Sequence, residues 1–297
     1  MVLGGTRGMP VVRTLPNKVR RMVGAWCFVD HYRGADPMRV APHPHTGLQT
    51  VTWLVTGEVR HRDSLANDQV IRPGQLNLMT AGRGIAHAED SVSRGDLHGV
   101  QLWVALPGGD RDVAPAFAHH ADLPTASDGA ASVRVLVGSV GGVRSPAYAY
   151  TPLVGAEIAF AGPGRTEMAL EPDFEHAVLA LDGPAVVDGV PLAPGPLLYL
   201  GTGRSTLPVS ADGPARLLLL GGEPFDEEIV MWWNFIGRSH DDIVAMRDDW
   251  AADVADQSAG GADPAAVARF GPVAYEAPPL PAPDLPTTTL LPRGRTR

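Results

Sequence analysis

Residues 43–64, HPHTGLQTVTWLVTGEVRHRDS, and residues 71–89, IRPGQLNLMTAGRGIAHAE, decide the reading of the fold. The first stretch opens with His43 and His45, one residue apart. On an extended segment the two imidazoles project to the same side, because strand side chains repeat every second residue, so the pair can chelate one ion. The second stretch ends with His87 and Glu89 at the same spacing. These can close the site from a second strand if the sheet curls until the two segments face each other, which is the geometry of a small β-barrel. Between the pairs, Leu48, Thr50, Thr52 and Leu54 alternate with Gln49, Val51 and Trp53, a strand whose second face is also substantially buried. Pro73-Gly74 makes a turn, and Gly82 and Gly84 let backbone pass close to the site. Four nitrogen and oxygen donors without a thiolate suit a first-row divalent metal, and fewer than six ligands leave room for a substrate or O2.

Together the two stretches resemble the signature of the pirin family, within the cupin superfamily. The resemblance spans roughly residues 10–255 and implies an all-β chain of two cupin barrels of jelly-roll type, the first binding metal and the second degenerate. It implies a mononuclear site of His43, His45, His87 and Glu89 holding Fe(2+), with Mn, Ni, Cu or Zn as the other metals such donors accept. In the family pattern an Asp-His pair, here Asp30-His31, stands ahead of the motif in a hydrogen-bonding, structural role. Where many cupins and pirin-like sequences carry a ligating glutamate, this chain has Gln49; a neutral amide is a poor ligand beside a carboxylate, so Gln49 is expected to orient a ligand or the substrate. Some pirins open the heterocyclic ring of flavonols. That implies a quercetin 2,3-dioxygenase-like oxidoreductase acting on a small aromatic enol with O2, with Glu89 as the base and Trp53, Leu78 and Met79 as candidate walls, subject to register. Other pirins imply a different class, a non-catalytic metal- or redox-sensing regulator that binds a protein partner. A third reading is a metal-stabilised barrel with an isomerase or hydrolase reaction.

The chain of 297 residues is long enough for two ordinary domains. Its 34 glycines and 28 prolines punctuate it into short pieces and favour strands and turns over long helices. With 24 basic and 33 acidic residues the net charge is -9, which argues against direct binding to nucleic acid or to an anionic membrane through a basic surface. A single cysteine, Cys27, excludes an internal disulfide and reads as a small buried hydrophobe. The chain shows no secretory signal and no apolar run of spanning length, so a cytoplasmic home is expected. A monomer is the default for two barrels that already form a pseudo-symmetric pair.

These readings divide the chain into a metal-binding barrel at 1–106, a linker at 107–130, a degenerate barrel at 131–222, a helical segment at 223–257, and a flexible Pro/Ala-rich tail or surface strap at 258–297. Strands are expected in the second barrel at 133–137, 156–160, 165–170, 176–181, 196–200 and 216–220. Laying Gly183 on Gly57 sets Ala169 and Glu171 where His43 and His45 stand, and laying Pro194-Gly195 on Pro73-Gly74 sets Pro208 at the place of His87, so this barrel should hold no metal. His61 and His98 lack a partner at ligand spacing and are placed outside the site; the adjacent His119 and His120 read as surface residues. Ser239 with Asp242 resembles a capping box ahead of Ile243, Met246, Trp250 and Val254 at helical spacing, and the Trp232-Trp233 pair is expected to glue a helix to a barrel.

Overall fold

The computed structural model describes residues 9–92, 95–258 and 268–296. Parts of the expected first domain (1–8, 93–94) and of the tail (259–267, 297) lie outside the described residues. Two barrels follow one another with the same wiring. In the first, a six-stranded sheet runs in the order β1 (Val11–Leu15), β2 (Trp26–Gly34), β9 (Leu97–Ala105), β4 (Leu48–Thr56), β7 (Leu76–Thr80) and β10 (Ala116–His120). A four-stranded sheet, β3 (Arg39–His45), β8 (Ile85–Ser91), β5 (Val59–Asp63) and β6 (Asp68–Ile71), supplies the other wall. In the second barrel the corresponding sheets are β11 (Thr125–Asp128), β12 (Ala131–Val137), β15 (Leu153–Phe160), β22 (Ala215–Gly222), β17 (Glu175–Asp182) and β20 (Leu197–Gly201), and β16 (Gly164–Ala169), β21 (Thr206–Ala211), β18 (Ala185–Val187) and β19 (Val190–Leu192). Two short hairpins, β13 (Ser139–Val140) with β14 (Val143–Arg144) and β23 (Val230–Trp232) with β24 (Phe235–Gly237), and the helix α1 (His240–Ser258) complete the chain.

The large sheets pack back to back. On β4, Gln49, Val51 and Trp53 lie opposite Val104, Leu102 and Val100 of β9, so all six share a face, and this face turns to the second barrel. Its apolar members join Leu179, Leu181, Leu218 and Leu220 in one core cluster, while Val178, Leu217 and Leu219 fill the interior of the second barrel. The run Leu217 to Leu220 is apolar throughout because both faces of β22 are buried. Polar contacts fix the seam: the Trp53 indole donates to Glu157 (3.1 Å), Arg216 pairs with the other oxygen of that carboxylate (3.0 Å), and the Gln49 amide donates to the Tyr148 carbonyl (3.1 Å). Removing the indole N–H would leave a buried carboxylate oxygen short of a partner, at a cost of about 1–3 kcal/mol.

The linker differs from the sequence reading, and the structure decides between alternatives in the two segments after 222. The expected linker contains β10, paired along β7, and β11, paired along β12. Each covers the edge strand of one large sheet, a task in which short strands need little hydrophobic signal of their own. The expected helical segment after 222 holds the helix α1, preceded by a hairpin at residues 230–237 whose turn carries Trp233 at φ 51°. The capping box is present: Asp242 N donates to Ser239 Oγ (3.1 Å), and the Asp242 carboxylate accepts from Ser239 N (3.2 Å). The described part of the tail is a strap. Phe270 is buried, Leu280 N donates to the Pro42 carbonyl (2.8 Å), and Arg293 pairs with Ile229 through backbone bonds in both directions.

Burial sets the acid response of this fold. It pushes His31, beside His98, and His176, inside the second barrel, from the ordinary 6.5 down to about 4. Between these values the unfolded chain binds more protons than the folded one, so stability falls as pH drops from 6.5 towards 4. Denaturant midpoints of the metal-free protein across that window are expected to show this slope, reduced by about one proton in His176→Leu; a slope unchanged in the variant would contradict it.

Candidate metal centre

The register of β3 against β8 brings the two motif pairs together. His43 lies directly opposite His87, and the ladder shifts by one residue between Val40 and His43. That bulge reverses the alternation, so Val40, His43 and His45 all turn inward. It also frees two carbonyls. Ala41 O accepts from the His43 ring at Nδ1 (3.0 Å), and Pro42 O receives the strap. Glycine is required just beyond: Gly47 has φ 69°, and a Cβ there would lie 2.3 Å from the Ile236 carbonyl oxygen. The ligand strand thereby runs hard against the β23–β24 hairpin. Gly82 serves likewise against the Val113 carbonyl.

The ring nitrogens of His43, His45 and His87 lie within 4.8 Å of one another, all buried. A second such group consists of His61, His87 and Glu89, so His87 belongs to both. Glu89 opens onto the same cavity as the first three residues. Burial pushes His43 down to about 4 and holds His45 and His87 well below 6.5, which keeps the imidazoles neutral, the form that binds a cation. Burial raises the Glu89 carboxyl. His87 Nε2 is buried with no hydrogen-bond partner among the described residues. An orphaned nitrogen beside two further neutral imidazoles fits a divalent cation.

The cavity above these residues measures about 540 Å³. Its floor is the imidazole cluster with Glu89, and one wall is the stacked pair Phe28 and Trp103 (centroids 4.0 Å apart, planes at 11°). The Trp103 ring also meets His45 edge-on at 5.2 Å. Arg13 stands over Phe28 and is held by Asp30 through two hydrogen bonds of 2.7 Å. The Thr52 hydroxyl lies 3.0 Å from Gln101 Oε1 and 3.4 Å from Glu89 Oε1. Trp233, Asn234, Leu280 and Pro281 also line the cavity, so the hairpin and the strap contribute to its wall.

Register separates the remaining candidates. Gln49 and Trp53 face the second barrel, where Gln49 also donates to Thr80 (3.0 Å), and they orient neither ligand nor cavity; Leu78 shares their face. Met79 is on the inner face, opposite Phe117, away from the cavity lining. His31 and His98 meet nitrogen to nitrogen at 2.8 Å on the seam side. Asp90 is half-buried and accepts from Tyr275 (2.5 Å) and Arg62 (3.3 Å). Cys27 is buried, and its thiol is pushed up to about 12. His119 hydrogen-bonds Asn77 (2.7 Å), and Trp233 lines the cavity rather than serving only as glue.

The correction of most consequence is His61. It is buried, stacks on Phe117 (4.4 Å, 13°), and places Nδ1 3.3 Å from His87 Nδ1 and Nε2 3.1 Å from Asp63 Oδ2. The signal was present in the chain, since His61 and Asp63 repeat the one-residue spacing of the other two pairs; in the ladder they lie opposite Glu89 and His87. Burial pushes the Asp63 carboxyl up, but hydrogen bonds from His61 and Asn67 outweigh it and hold the group below its ordinary value.

In the second barrel, Ala169 lies opposite Thr206, and Pro208 opposite Glu167, so the overlay of the two repeats is two residues out across this ladder. Thr166 and Met168 point inward there, among Leu207 and Val209.

Known proteins resemble the chain along most of its length. Residues 8–104 match the family Pirin, and residues 155–254 match the Pirin C-terminal cupin domain. A Pseudomonas aeruginosa protein provisionally named a quercetin 2,3-dioxygenase is 46% identical over 291 residues, covering 96% of this chain and 88% of its own. A pirin-like protein of Caulobacter vibrioides is 36% identical over 260 residues, covering 82% and 88%. The crystal structure of a quercetin 2,3-dioxygenase from Acinetobacter baumannii superposes with a TM-score of 0.87 at 39% identity, covering 97% of this chain and 94% of that one. With the fold, the paired barrels and the matches agreeing, the chain belongs to the pirin family of bicupins.

Proposed function

We propose that the chain is a metal-dependent dioxygenase of the quercetin 2,3-dioxygenase kind, cleaving a flavonol-type enol with O2 at a mononuclear centre held by His43, His45, His87 and Glu89. The observation that carries this reading is the combination of neutral imidazoles and a buried carboxylate at the floor of a cavity with a stacked aromatic wall. A volume of about 540 Å³ falls within the range of small-molecule pockets. The names of the Pseudomonas and Acinetobacter relatives support the reaction class. Iron(II) is the first choice of metal; manganese, nickel, copper and zinc suit the same donors. When bound, the metal supplies a Lewis-acidic site for an enolate and for O2.

The chain's own residues do the rest. Glu89 accepts the proton of the substrate hydroxyl, and Thr52 lies against its Oε1. The Phe28 and Trp103 pair offers a flat apolar face to an aromatic ring. Arg13, neutralised by Asp30, stands over Phe28. Leu280 and Pro281 add apolar wall to the cavity. No helix among the described residues is long and apolar enough to cross a membrane.

Aerobic incubation of the iron-loaded protein with quercetin is expected to release carbon monoxide and bleach the flavonol absorbance. Stoichiometric metal with neither signal, across several metals and flavonols, would reject the dioxygenase reading and favour a metal-sensing regulator with a protein partner. His45→Ala and Glu89→Ala are each expected to weaken metal binding at least about 10-fold, the lower bound for groups that merely support a ligand. Metal content by elemental analysis checks this, and full occupancy in both variants would refute the ligand set.

A further inference from the structure

We propose that Asp63 and His61 act as positioning residues that set the tautomer of His87, keeping the lone pair of its Nε2 available to the metal. This rests on the reading of His87 as a ligand. Hydrogen-bond direction fixes the tautomer. A carboxylate only accepts, so the His61 nitrogen facing Asp63 Oδ2 at 3.1 Å, Nε2, carries the proton. With that one proton on His61, its Nδ1 is bare and accepts, so at 3.3 Å the His87 Nδ1 donates; the reverse direction would leave an Nε2–H of His87 buried with no acceptor. A neutral His87 protonated at Nδ1 has a bare Nε2, and that atom is the one left buried without a partner. His43 reaches the same tautomer by another route, since its Nδ1 faces the Ala41 carbonyl.

The surroundings hold this chain in place. Phe117 stacks on His61 and fixes its plane. Asp63 Oδ1 accepts from Leu65 N (2.9 Å), Asn67 N (3.1 Å) and the Asn67 amide (3.0 Å), which closes the turn after β5 around the carboxylate. Ser64 binds the backbone of Ala86, next to His87, in both directions. Since Oδ1 collects these three donors, Oδ2 is left to His61 and one further bond from Asn67.

That asymmetry makes Asp63→Asn an informative variant. Its amide oxygen belongs at the Oδ1 position, which puts the NH2 group against His61. The direction of the chain then reverses: His61 accepts at Nε2 and donates at Nδ1, and His87 must carry its proton on Nε2. Long-range 1H–15N correlation spectra of the 15N-labelled, metal-free full chain are expected to show His87 protonated at Nδ1 in the native protein and at Nε2 in Asp63→Asn. Nickel(II) affinity, measured by chelator competition, is expected to fall about 10–100-fold with stoichiometry unchanged, the usual effect of removing a group that supports a ligand. His61→Phe keeps the stack on Phe117 and removes the acceptor; it should also lose the single Nδ1–H tautomer, and it serves if Asp63→Asn does not fold. The proposal is overturned if His87 stays protonated at Nδ1 in the variants, if affinity stays within about twofold, or if His61→Phe lowers the number of metals bound, which would make His61 a ligand. A native protein that binds no nickel(II), iron(II) or cobalt(II) would instead refute the ligand assignment. The two failures are distinguishable because the tautomer is read without metal.

Discussion

The metal centre depends on one extra residue in β3. A regular ladder from Val40 onward would send His43 and His45 outward on the parity of the strand, since a slip of one position exchanges the two faces. The bulge at Ala41 and Pro42 prevents this and turns both imidazoles inward beside His87, with His43 directly opposite it. It suits its sequence, because proline cannot donate to a ladder and its carbonyl is free to accept. The two carbonyls released there do separate work, one orienting the His43 ring and the other anchoring the strap at Leu280. The placing of the imidazoles and the docking of the strap against the cavity therefore share a single local irregularity.

Around that point the two barrels divide the labour. The outer face of β4 is committed to the seam, and the interior of the first barrel carries the imidazole cluster. The equivalent interior of the second barrel is packed with Val178, Leu207, Val209, Leu217 and Leu219. It braces the first through Glu157, which binds both Trp53 and Arg216, and through Glu175, which accepts from Gly24 N at 2.9 Å and from Tyr199 at 2.8 Å. The seam is thus held by carboxylates whose lone pairs are shared between the barrels rather than by apolar contact alone.

Much of this was legible in the chain, for a physical reason: a strand displays its period directly. The one-residue spacing of His43 with His45 and of His87 with Glu89 identified a strand-borne cluster, and six strands of the second barrel could be read from apolar runs. What escaped was set by partners distant in sequence. Alternation alone does not say which face of β4 lines the cavity; Gln49, expected to orient a ligand or substrate, and Trp53, a wall candidate subject to register, both lie on the seam face. The strands β10 and β11 have little periodicity because edge pairing holds them, and the strap has none because proline-rich backbone is anchored through carbonyls. His61 is the instructive case. Judged alone it lacked a ligand partner, but as His61 with Asp63 it had the same spacing as the recognised pairs, and its meaning lay in hydrogen-bond direction rather than coordination.

A cluster of this kind is costly to keep. Three imidazoles and a carboxylate withdrawn from water lose solvation that hydrogen bonds here restore only in part, as the unpartnered Nε2 of His87 shows. The second barrel shows the alternative open to the same topology, an interior mostly of leucine, valine and methionine, where His176 and Thr166 are inward polar groups and less is lost to desolvation. The first barrel is therefore less stable empty than its architecture permits, and a cation restores what the polar cluster gives up, because whatever binds only the folded state stabilises it in proportion to the logarithm of its concentration over Kd. The same reasoning explains why so many groups hold the rings still. Ala41 at His43, His61 with Asp63 at His87, and Phe117 beneath His61 fix orientations before any ion arrives, so that less ordering remains to be done on binding.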